Sequence, residues 1–175
     1  MTTGFEEAQE RRNWLERLMD KIPGFRGFQD RELRREVDKL QREHLAKELG
    51  QIKNAVRGKA QAYTDAGQIG ALYLFGRMDG RLDGLSQAIR FADYGQSGFF
   101  DVVKINQPEL DAIYQFDLSL VEDVARLAGD VAAIPLPDQG DAQEACNQAL
   151  AHISTLADKW TERKNVISGV VKTDG

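Results

Sequence analysis

The sequence has one cysteine, two histidines and four prolines among 175 residues, and it has no run of about 18 apolar residues, the length needed to span a bilayer. Each shortage removes a class of protein. Cys146 alone excludes an intrachain disulfide and a cysteine-held metal cluster, so a reducing, cytoplasmic setting is expected. His44 and His152 are the only imidazoles. Neither follows a glutamate at the Glu-x-x-His spacing by which one helical face shares a metal, so no metal site is expected. The segment Met1 to Phe25 is interrupted throughout by acids and arginines, which predicts no secretory leader. A Gly-x-x-x-x-Gly-Lys phosphate loop and a Gly-x-Ser-x-Gly nucleophile elbow are both absent. No cofactor and no catalytic residue are assigned, and a non-enzymatic protein is expected.

What is present points to helices. Hydrophobic residues make up 42% and charged residues 29%, a soluble globular balance in which few prolines interrupt helical stretches. The length predicts one domain over residues 1–168 with a flexible tail at 169–175. Net charge is −5, but residues 1–60 hold 14 basic against 11 acidic side chains while the remainder holds 9 against 17. The basic half interleaves acids at helical spacing and reads as a solvated face rather than a phosphate-binding stripe, so no nucleic-acid partner is expected.

Five helices follow from caps and periodicity. Thr3 with Glu6 forms a capping box opening a first helix to about Lys21, and the Pro23–Gly24 knuckle, with Phe25 and Phe28, ends it. Asp30 opens a second helix to about Thr64, with Leu33, Val37, Leu40, Ile52 and Val56 as its apolar seam and Glu43 placed to support Lys47. Gly50 and Gly58 mark bends or close contacts in it. A third helix covers about Gly67 to Phe91. The aromatic-rich run 99–105 lacks a strand partner and is expected to lie extended, or as a short helix, over the core. Asn106 and Glu109 open a fourth helix to about Ile134, and Asp141 with Glu144 opens a fifth, whose seam is Cys146, Ala149, Ile153, Leu156 and Trp160. The fold class is therefore an all-α bundle of about five helices, with a short aromatic segment after the third.

The third helix is the unusual element. Gly76, Gly80 and Gly84 recur every fourth residue, and helix-interior glycines cost about 0.8–1 kcal/mol each relative to alanine. On a helical wheel Leu74, Met78, Leu82, Leu85 and Ile89 share one face, whereas the glycines fall on the other side with Tyr73 and Phe91. Either this is the central helix of the bundle, burying two faces, or the small-residue face is a binding surface.

Two further positions carry chemistry to weigh. Asp117 falls on the apolar seam Ile113, Leu120, Val124, Leu127 and Val131, where a carboxylate needs a partner; Arg77, Arg81 and Arg90 on the third helix are the expected ones. The pair is read as a buried structural link, or as a polar group in a ligand pocket with Tyr73, Tyr94 or Tyr114. Cys146 sits on a seam as a small hydrophobe. The functional expectation is a helical adaptor or assembly subunit that binds a protein partner or itself through the glycine face or the charged second helix. A small-molecule or lipid-binding bundle is the alternative. A peripheral membrane role, through Phe5, Trp14 and Leu18 of the first helix, is disfavoured because acids cancel the arginines there.

Overall fold

The computed structural model describes residues 16–24, 31–92 and 107–172, with side chains over 16–24, 38–92, 111–163 and at 165. The first helical turn, α1, covers residues 16–21. It is followed by α2 (Arg31–Asp65), a 3-10 turn (Ile69–Ala71), α3 (Leu72–Arg90), α4 (Gln107–Ala133) and α5 (Gln143–Lys172). The all-α bundle expected from the sequence is the architecture found, and no strand occurs among the described residues. Among them no helix is long and apolar enough to cross a membrane. The aromatic run 99–105, the Thr3, Asp30 and Asn106 caps and both Phe25 and Phe28 lie outside the described residues.

Local chemistry fixes the boundaries. Gly67 takes φ 71° just beyond α2, the left-handed conformation that ends helices and that lacks a Cβ penalty only in glycine. Its amide donates to Thr64 O and the next amide, of Gln68, to Tyr63 O. At the start of α5, Asp141 Oδ1 accepts from the Gln143 amide at 3.0 Å, satisfying one free first-turn donor. That helix runs to Lys172, continuing through Ser168 and Gly169, where the sequence suggests that a tail begins.

Helices α2 to α5 form a four-cornered bundle. α2 borders α3 and α4, and α5 borders the same two. Lys59 and Tyr63 near the end of α2 donate to the carbonyls of Ala132, Ile134 and Pro135 at the end of α4, so these neighbours run in the same direction. Arg163, late in α5, reaches Asp38 early in α2 and Asp117 in α4, so α5 runs against both. Two antiparallel hairpins, α2–α3 and α4–α5, thus lie side by side. α1 covers the groove between α2 and α4: Leu18 and Ile22 are buried, and Arg17 pairs with Glu122 of α4.

One connected apolar core joins these helices. All five residues of the predicted inner face of α3 are buried, as are the seams of α4 and α5. The seam of α2 differs from expectation. It passes through Leu45 and Leu49 on the way to Ile52 and Val56, while Leu40 is only half-buried and faces the knuckle, near the Cβ position of Gly24. Gly50 and Gly58 mark no close contact, since a Cβ at either meets no described atom within 4 Å. α3 is likewise a corner helix and not the central one: its inner face meets the core, and two neighbours flank it.

Candidate interaction surface

The outer face of α3 is open. Gly76, Gly80 and Gly84 are all exposed, and a Cβ built at any of them meets no described atom within 4 Å. Tyr73 is 58% and Phe91 72% exposed on the same side, about 27 Å apart along the axis at 1.5 Å per residue. Three interior glycines cost about 2–3 kcal/mol together relative to alanine. No close approach within the described chain offsets that cost.

Polar rims border this face. On the α2 side Arg57 forms a two-pronged pair with Asp79 and Lys53 pairs with Asp83. Arg57 holds the Asp79 carboxyl below its ordinary value, chiefly through the hydrogen bond. On the α5 side Arg81 donates to Ser154 Oγ at 2.6 Å and to Leu150 O. Between α2 and α3 lies an open groove of about 690 Å³, into whose walls Lys47, Arg90 and Phe91 enter.

Asp117 is buried, at 1% exposure, but its partner is not on α3. Arg163 of α5 donates Nε to Asp117 Oδ1 at 2.7 Å and Nη2 to Oδ2 at 3.1 Å, while Nη2 also reaches Asp38 Oδ1 at 2.9 Å. Asp38 accepts in turn from Arg42 Nε at 2.8 Å. Burial opposes the Arg163 charge, but the Asp117 and Asp38 carboxylates outweigh it and hold the guanidinium above its ordinary value. Arg77 and Arg81, expected as buried partners, are exposed, because the fold places α3 and α4 on opposite corners. Arg90 is exposed as well. Arg163 was nevertheless within reach of the sequence: extending the α5 seam by three residues beyond Trp160 lands on it. The pair is a structural tie among α2, α4 and α5, with Arg163 also stacked 5.2 Å from the Trp160 ring centre. Tyr73 does not join it, standing at the opposite end of the bundle beside Gly140–Gln143. Tyr94 lies outside the described residues. Tyr114 is buried one turn from Asp117 on α4.

Two other sequence candidates resolve into packing. Cys146 is fully buried, and burial, reinforced by Asp141, pushes its thiol up to about 11, so the nucleophilic thiolate is scarce near neutral pH. Tyr63 donates to Pro135 O at 3.0 Å, closing the wall of a cavity of about 330 Å³ at the loop end of the bundle, beside Tyr73, Leu74 and Asp141. His44 is half-buried, and burial lowers its pKa, with Glu48 opposing and Lys47 assisting. Among the described residues no three His, Cys, Asp or Glu side chains converge as a metal ligand set. Comparison with known protein families, curated proteins and solved structures finds no match for this chain.

Proposed function

We propose that the protein is a non-enzymatic helical interaction protein, an adaptor or assembly subunit whose α3 outer face docks a protein partner or a second copy of itself. The observation that supports this is a glycine ladder that no described residue covers, between two exposed aromatic rings. A glycine stripe lowers the surface of a helix so that another backbone can approach closely. The rings at either end supply the apolar anchors that dominate docking energies. The cost of the glycines is then offset in the complex rather than in the free chain.

Gly80→Leu tests the reading. A Cβ at Gly80 meets no described atom within 4 Å, so the substitution is expected to leave folding intact while close approach is blocked. Native mass spectrometry of the protein from its own cells should show an associated chain or homo-oligomer that Gly80→Leu removes. A species that is monomeric, or an assembly indifferent to Gly80→Leu, sinks the proposal. The same spectra address the small-molecule reading, which is supported by the cavity of about 330 Å³ beside Tyr63 and Tyr73, a volume at the lower edge of ligand pockets. A retained mass of a few hundred daltons would favour that reading instead.

A further inference from the structure

We infer that the segment docking on this face is an acidic stretch of a partner protein, recognised by the cationic groove between α2 and α3. This deepens the reading of α3 as a docking surface and rests on it. The groove runs beside the glycine ladder and is lined by Lys47, Lys53, Arg57 and Arg90 with Asp83, and Asp79 pairs with Arg57 at its edge, on a chain whose net charge is −5. Positive charge is therefore gathered locally against the overall sign.

The ion pairs show which of these cations are available. Lys53 is held by Asp83 and Arg57 by Asp79. Lys47 and Arg90 are exposed, and neither has an ion-pair partner among the described residues. Glu43, one turn from Lys47, turns to Lys39 at 3.8 Å instead. Arg42 donates Nη1 to the carbonyls of Arg90 and Ala92, both at 3.3 Å. It thereby fixes the end of α3 against α2 and brings Arg90 and Phe91 to the Lys47 end of the groove. Two free cations beside a 72% exposed ring match a segment that presents carboxylates next to an apolar side chain, with charge setting orientation and the ring contact supplying anchoring.

A phosphate backbone fits less well. Asp79 and Asp83 stand one turn apart along the α3 wall, interrupting the cationic row where a nucleic-acid strand would lay its evenly spaced charges. Carboxylates on a peptide have no such fixed spacing. They can engage Lys47 and Arg90 and leave the two aspartates undisturbed.

The experiment is selection of a phage-displayed library of random peptides about 16 residues long on the full chain, followed by binding of the enriched peptides. Enriched peptides should carry an excess of Asp and Glu around an aromatic or aliphatic residue, and should weaken as salt rises. The double variant Lys47→Glu/Arg90→Glu, checked for an unchanged unfolding midpoint, should bind them about tenfold or more weakly. No enrichment, peptides without an acidic excess, or binding unmoved by the double variant overturns the inference. So does tighter binding of a labelled oligothymidylate with the same dependence on Lys47 and Arg90, which would assign the groove to nucleic acid. Gly80→Leu separates the two claims. If it abolishes peptide binding while the charge reversal does not, the docking face stands and the acidic partner fails. If only the charge reversal acts, the ladder reading fails and the inference with it.

Discussion

Small residues line both the α5 seam and the outer face of α3, and their surroundings are opposite. Cys146 and Ala149 are both 0% exposed, packed within the core of their own chain. Gly76, Gly80 and Gly84 are open, with no described atom near their Cβ positions. On α5 small side chains let neighbouring helices close on one another, and the apolar area removed from water stabilises the fold at about 25 cal/mol per Å². On α3 glycine weakens the helix without any such return among the described residues. Small-residue spacing on its own therefore does not reveal whether a face is core or surface. The apolar residues on the opposite side of the same helix decide which side faces inward.

The contrast can be broken first at its polar end. Arg163→Met leaves the Asp117 and Asp38 carboxylates without their shared guanidinium. It should cost about 3–5 kcal/mol in chemical denaturation, while adding Asp117→Leu should recover a large part of the loss. A single-variant loss well under 1 kcal/mol would mean that this end of the bundle is open to water. Next in size, Ala149→Leu forces extra methylenes into the covered seam and should destabilise by about 1–3 kcal/mol. The matched change on the other face, Gly80→Ala, should stabilise by about 0.5–1 kcal/mol, since it removes a helix-interior glycine without a clash. A loss at Gly80→Ala would show that the ladder is covered after all.

The smallest effect concerns His44. Its lowered pKa means that the unfolded chain takes up a proton more readily than the folded one. The stability this residue confers is full above about 6.5 and is lost as pH falls through the lowered folded value. His44→Gln should flatten that slope in unfolding midpoints measured across the mildly acidic range.

Individual residues show how far the sequence could be read. The inner face of α3 and the seams of α4 and α5 were legible because burial imposes a 3.6-residue period that survives in the side chains. The α2 seam read from the sequence skipped Leu45 and Leu49, which are buried, because dense charge around them masks the apolar row. Asp117 was recognisable as a buried carboxylate, since it interrupts an otherwise apolar seam, yet its partner was assigned to the wrong helix. Periodicity ranks the faces of one helix and carries no information about which helix stands opposite. Lys47 and Arg90 were each given a carboxylate partner, Glu43 and Asp117, that the structure pairs elsewhere, because whether a cation is free depends on where the nearest carboxylates point.

The helical class, the inward faces of the later helices and the oddity of the glycine ladder were readable before any fold was known, because they follow from local propensity and from the spacing of residues along one chain. Packing between helices sets the corner position of α3, with no described atom over its glycines, the meeting of Asp117 with Arg163, and the four cations along one groove. Those facts depend on the order and direction of helices around the core. That order is set by the summed packing of many side chains far apart in sequence, and no single segment encodes it.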